Sequence, residues 1–214
     1  MKKLSIIHFL VPVILFLGVA SCTHDDETGT VVPSPPIEYG DLKISQEDGW
    51  TFDRNHSNIT WETAYLGSAA LLTGRFNDFS IDLNFVEDDP SQISIVGKVI
   101  LSTVNTGVPA RDGGCLQNTL ATDVNDEAVF TSTSVDFDGA GGYIVDGNLE
   151  FHGETSAITM KLELVGTEFF PEDSGVSGAP FTVAGLSGEF EMLAKTAHGI
   201  VSSSISDLVR VKIN

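Results

Sequence analysis

Four runs of this chain, FSIDLNF, ISIVGKVIL, YIVDGNLEF and ITMKLEL, alternate apolar and polar residues with a period of two. In an extended strand successive side chains point to opposite faces, so each run makes a strand with one apolar and one wet face. That pattern suits antiparallel sheets, which bury one face and solvate the other. The intervening stretches EDDPS, DGAGG, HGETS and EDSGVSGAP are rich in turn-forming residues. From Trp50 onward the pattern predicts about eight or nine strands, with no amphipathic helix and no internal repeat. The fold class is therefore all-β, an antiparallel barrel or sandwich.

The alternation assigns faces. Phe79, Ile81, Leu83 and Phe85 share one side, as do Ile93, Ile95, Val99 and Leu101. Tyr143, Val145, Leu149 and Phe151 form a third apolar face, and Ile158, Met160, Leu162 and Leu164 a fourth. Phenylalanine supplies most of the aromatic content, 13 residues against two Trp and three Tyr. Phe makes no hydrogen bond at a wet surface, so this composition favours an apolar interior over a glycan-binding platform. The open question at this level is whether that interior is full or hollow.

The N-terminus follows a different pattern. MKK precedes the apolar run LSIIHFLVPVILFLGVA, which is short for a membrane span and is built like a secretory signal peptide. Its ending, GVASC, resembles the bacterial lipobox, which implies cleavage after residue 21, acylation of Cys22 and anchoring by lipid chains. Residues 22–47, with PSPP and many acids, then form a lipidated tether, and 48–214 the folded domain. CTHDDE resembles an acidic surface-export signal, and a plain solvated spacer is the alternative. The expected location is the bacterial envelope, as an outer-membrane lipoprotein facing the periplasm or displayed on the cell surface. The whole chain carries a formal charge of −19, and removing Lys2 and Lys3 with the leader makes it −21. Nucleic acid is thereby excluded as a partner, because phosphate contacts need Lys and Arg. A homodimer is left open.

Candidate chemistry is sparse. Once Cys22 is acylated, Cys115 has no partner for a disulfide, and no nucleophile signature surrounds it, so it reads as an inert thiol. His56, His152 and His198 are too scattered for local metal-ligand spacing. DVNDE and DFDGAGG lack the twelve-residue calcium-loop pattern. No carboxylate pair stands out for glycoside hydrolysis. No catalytic residue, metal or cofactor is assigned.

Five segments, in order, resemble the YceI-like family: DRNHSNITWET, LTGRFNDFSIDLNF, STVNTGVPARD, VDGNLEFHGETSAITMKLEL and HGIVSSSISDLVRVKIN. The resemblance runs from about Trp50 to Asn214. It implies a lipocalin-like, eight-stranded antiparallel barrel with a short non-barrel segment around residues 110–122. The lumen would hold a long amphiphile, a polyisoprenoid or isoprenoid quinone, for carriage, storage or shielding in the envelope. On this basis the candidate lumen residues are Trp61, Phe76, Phe79, Ile81, Leu83, Phe85, Ile95, Val99, Val145, Leu149, Phe151 and Leu162. Candidate polar residues at the mouth are His56, Asn105, Arg111 and Asp112. The chain departs from the family pattern at ARDGGCL, at SAI after Thr155, and at KTAHGI, where His198 replaces an aromatic. STVNTGVPARDGGCL then reads as a joint: a strand at Thr103–Asn105, a turn at Val108–Pro109, and non-strand chain after Asp112. With cations concentrated at Arg54, Arg75, Arg111 and Arg210, a neutral head such as a quinone is expected over a pyrophosphate. The alternative is a structural or interaction module with a filled barrel, meeting a protein or glycan through its loops. An enzyme using Cys115 is a third reading.

Overall fold

The computed structural model describes residues 52–86, 89–171 and 180–214. The leader, Cys22 and the tether lie outside the described residues, as do the side chains of Gly114 and Cys115. The described residues form ten strands: β1 (Ile59–Tyr65), β2 (Ala70–Phe76), β3 (Phe79–Asn84), β4 (Ser94–Ile100), β5 (Val104–Asn105), β6 (Glu127–Phe137), β7 (Tyr143–Phe151), β8 (Glu154–Phe170), β9 (Phe181–Leu193) and β10 (Ile205–Ile213). They form one sheet in the order β3-β4-β6-β7-β8-β9-β10-β1-β2-β5, and every pairing is antiparallel.

That order closes on itself. Were the sheet flat, β3 and β2 would stand eight strand spacings apart, about 38 Å. Yet only Asn77 and Asp78 separate them in sequence, a reach of about 11 Å. β2 and β3 also run in the same direction, so they are two halves of one bent strand. The first half pairs with β1 and the second with β4. Counted this way the barrel has eight strands joined as an up-and-down meander, with β10 closing against β1 and β5 a two-residue addition. Closure pairs most of the sheet edge among the described residues, and an exposed edge is the usual hazard of an all-β chain.

The β7–β8 hairpin shows why these sequences take these positions. β7 reads strictly alternating in burial, from Tyr143 to Phe151. It turns at His152 (φ 56°) and Gly153 (φ 80°), two consecutive left-handed residues that suit the twist of a tight hairpin. In the neighbouring β6 the alternation is broken by a bulge between Ser132 and Ser134. An extra residue shifts the inward phase there, so Phe130 and Val135 both face the interior.

We define the upper end by the β6–β7 turn and the lower end by the β7–β8 turn. The upper half of the lumen is filled. Phe85 is 1% exposed, Val145 0% and Met160 2%, and the Phe85 and Tyr143 rings meet edge to face at 5.6 Å. These residues belong to one apolar cluster with Ile93, Ile95, Leu149, Phe151 and Leu162.

The joint between β5 and β6 differs from expectation in detail. The strand starts at Val104 rather than Thr103, because Leu101–Thr103 form a 3-10 turn. Helical backbone begins at Pro109 and continues as a π-helical turn, Arg111–Leu116, into one α-helical turn, α1 (Gln117–Thr119). Proline suits the first helical position, where no N–H is needed. Asp112 organises the joint by accepting from the Thr106 N–H and hydroxyl, while Arg111 Nε donates to Thr106 Oγ1 at 2.8 Å.

Candidate functional site

The lower half of the lumen holds a cavity of about 140 Å³. Its wall comes from seven barrel strands together with the joint and the β9–β10 connection. Of the expected lumen residues, Trp61, Phe76, Val99, Leu149 and Phe151 line it. Phe85, Ile95, Val145 and Leu162 instead fill the packed upper core, with Ile81 and Leu83 against them. Phe79 is buried beneath the Phe52 ring, at 5.5 Å edge to face, and contributes to neither.

Sequence reasoning missed much of the wall. Phe190 and Met192 of β9, and Val209 and Val211 of β10, face the cavity. Both pairs alternate in sequence, so the period-two signal was there to use. Leu116 and Leu120 close the cavity from the joint; their spacing of four places them on one face of a helical turn.

Polar atoms in this wall are few and mostly satisfied. Thr63, 3% exposed, donates its hydroxyl to the Leu208 carbonyl at 2.8 Å. The Trp61 indole nitrogen is buried without a hydrogen-bond partner. An unmet buried donor costs about 1–3 kcal/mol. The Trp61 ring lies across Gly74 on the paired strand: a Cβ there would stand 2.5 Å from Trp61 Cζ2 and 3.1 Å from Thr106 Cγ2. Gly74 is therefore the space that the indole occupies.

The expected mouth residues are not gathered at the cavity. His56 pairs with Asp53 at 2.7 Å in the turn before β1, with its side chain 85% exposed. Asn105, Arg111 and Asp112 are engaged within the joint, Asn105 accepting from the Gly107 N–H. None of the four lines the cavity.

The lower end is shut by the β9–β10 connection. His198, fully buried, donates or accepts at three points. Nδ1 meets the Phe151 carbonyl at 3.0 Å, Nε2 meets Ser156 Oγ at 2.7 Å, and its own carbonyl meets His152 Nδ1 at 2.9 Å. A carbonyl only accepts, so Nδ1 carries the proton and Nε2 accepts from Ser156. The pair has the spacing of a nucleophile and its base, but the imidazole is sealed from any substrate. Gly199, at φ 66°, ends a helical turn whose Ile200 N–H returns to the Ala194 carbonyl.

Asp207 anchors the same connection, accepting from the Lys195 N–H at 2.7 Å, the Thr196 N–H at 3.0 Å and the Thr196 hydroxyl. The Thr196 hydroxyl bond, aided by the Thr196 and Lys195 N–H groups, holds its carboxyl below the ordinary value of 3.8. A carboxylate depressed in the folded state adds stability above its unfolded pKa, and that stability disappears as pH falls through the folded one. Urea midpoints measured at about pH 7 and about pH 3 are expected to fall less for Asp207→Asn than for wild type. Equal slopes would show that the carboxylate contributes nothing to acid sensitivity.

On the outer face of β10, β1 and β2, bordered by residues 105–107, lies a polar groove of about 430 Å³. Two of its three cations are already matched, while Arg75 makes no ion pair with a described residue. Arg210 meets Glu191 at 2.7 Å and Glu62 at 3.5 Å, and Lys212 meets Glu189 at 3.7 Å.

The barrel resembles solved structures. BcnA from Burkholderia cenocepacia superposes with a TM-score of 0.62 at 16% identity, covering 76% of this chain and 97% of that one. The YCEI protein of Campylobacter jejuni gives 0.56 at 16%, covering 76% and 93%. At this identity the likeness shows the fold alone. In sequence, a UPF0312 protein of Shewanella baltica is 32% identical over 112 residues, and one from Shewanella sp. strain ANA-3 is 32% identical over 115. These matches take in 52% of this chain, and the chain spans 58% of the length of those relatives. The model of the YceI-like domain matches residues 50–214, and the chain belongs to that family.

Proposed function

We propose that this protein binds the apolar chain of a lipid, a polyisoprenoid or isoprenoid quinone, inside its barrel, and that its role is binding rather than catalysis. The observation that carries this reading is the cavity itself, walled by hydrocarbon apart from Thr63, Thr119 and the Trp61 indole. A dry cavity of about 150 Å³ accommodates a benzene-sized molecule. In the conformation described the cavity thus takes one or two isoprene units, and a longer tail extends beyond it. Burial contributes about 0.8 kcal/mol per methylene relative to water. Relative to a bilayer the gain is near zero, which suits reversible uptake and release.

The charge arrangement supports a neutral head over a pyrophosphate: of the four arginines only Arg75 has no side-chain partner among the described residues, too little charge for a pyrophosphate. Arg54 is paired with Asp78, Arg111 is bound to Thr106, and Arg210 is paired with two glutamates. Cleavage of the leader and acylation of Cys22 would place the domain in the bacterial envelope on a lipid anchor. Native mass spectrometry of the full chain, purified gently from a bacterial envelope, tests the reading. A co-purifying isoprenoid or quinone near one per chain is expected, on a polypeptide whose mass shows an acylated Cys22. A ligand-free mass that stays unchanged after incubation with quinones would establish the filled-barrel interaction module instead.

A further inference from the structure

Among the described residues, side chains narrow the lumen at both ends, so an apolar chain is better served by another way in. Phe85, Val145 and Met160 pack the upper half. The His198 connection, with Leu116 and Leu120, shuts the lower end. The wall itself, however, has a gap. β2 pairs with β1 along its whole length but with β5 only at Arg75 and Phe76. Along Ala70–Gly74 its other edge has no strand partner among the described residues, and the segment from Thr106 into the joint stands there instead.

We propose that this seam, between β2 residues 70–74 and the chain from Thr106 to Leu120, is the lateral portal through which the ligand enters, with the Trp61 indole as its plug. The proposal rests on the lipid-binding reading above. Four observations place it. Cavity and outer groove share one lining residue, and it is Trp61. The indole lies over Gly74 and beside Thr106, across the seam. Its N–H has no partner, so packing alone holds the ring in place. Leu71, 60% exposed, and Val108, 46% exposed, give the outside of the seam an apolar lip.

The same geometry places the ligand's head. With the tail behind Trp61, the head lies in the outer groove among Thr60, Thr73, Arg75, Asn105 and Thr106. Arg210 and Lys212 are neutralised there, which leaves Arg75 as the donor, so the groove suits a head that accepts hydrogen bonds, such as a carbonyl or an amide.

The test is stopped-flow binding to the full chain of a geranyl chain carrying a neutral dansyl amide, whose fluorescence rises in an apolar site. Trp61→Ala is expected to raise association and dissociation rates about tenfold with Kd within about threefold, and Trp61→Phe to fall between. Met192→Ala enlarges the cavity away from the seam; it is expected to change Kd while leaving the association rate within about twofold. Circular dichroism checks that each variant is folded, and Trp61→Phe retains a ring should the alanine variant fail. Association rates unchanged in both Trp61 variants, or raised equally by Met192→Ala, overturn the portal while leaving lipid binding intact. Absence of binding by wild type and every variant overturns the lipid reading itself.

Discussion

Replacing His198 with alanine is expected to cost about 3–5 kcal/mol of folding stability, the largest loss from any single polar side chain in this barrel. The imidazole is fully buried and uses both nitrogens, so its removal strands the Phe151 carbonyl and the Ser156 hydroxyl and leaves a void between them. At about 2–4 °C per kcal/mol for a chain of this size, Tm falls by roughly 6–20 °C. His198→Asn retains a donor near the Nδ1 position and is expected to lose about half as much. Ser156→Ala leaves Nε2 unpaired and costs about 1–2 kcal/mol. Because the two residues share one hydrogen bond, the double variant is expected to cost less than the sum. Additive losses, or a His198→Ala loss below about 1 kcal/mol, would falsify the lock; chemical denaturation reads all four variants against wild type.

The same residue shows what a sequence can and cannot reveal. His198 is visible in the chain only as a histidine standing where the family has an aromatic. Its partners, Ser156 and Phe151, lie 42 and 47 positions away, and no local pattern joins them. Where structure is local the reading succeeds. β7 runs from Tyr143 to Phe151 as its alternation predicts, because a period of two is the geometry of an extended chain. It fails where an extra residue enters. Phe76 and Phe79 are both shielded across the Asn77–Asp78 bend, Phe76 at the cavity and Phe79 beneath Phe52, and the Ser132–Ser134 bulge moves the inward phase between Phe130 and Val135. Strict alternation cannot foresee either shift. Nor could residue type separate the packed upper half from the hollow lower half. Val145 and Leu149 occupy the same face of one strand, yet only Leu149 touches the cavity. That difference is set by the large side chains arriving from other strands. Arg111 and Asp112 stay away from the cavity for a related reason: they are satisfied within their own turn by Thr106, and a satisfied polar group has no need of the lumen.

Filling the cavity provides the sharpest separation of function from fold. Ala128 sits on β6 opposite Val99, and both line the cavity. Ala128→Phe adds a phenyl ring to a space of about 140 Å³, close to the size that admits benzene. An isoprene unit of five carbons gains about 4 kcal/mol on burial from water, so excluding one is expected to weaken binding by about a thousandfold. The added ring replaces the ligand's contacts, so stability in the ligand-free protein is expected to change by less than about 2 kcal/mol in either direction. Leu149→Ala works the opposite way. It lowers stability by about 2–4 kcal/mol through the enlarged void and is expected to accept a longer chain. The two variants thus move affinity and stability along independent directions, which a merely structural effect on the barrel cannot do. Isothermal titration with a short prenyl quinone, alongside urea denaturation of the same samples, reads both. Retained affinity in a folded Ala128→Phe protein would place the ligand elsewhere, on the outer groove or the loops. Lost affinity with stability intact would locate the apolar chain behind Trp61, in the lower half of the lumen.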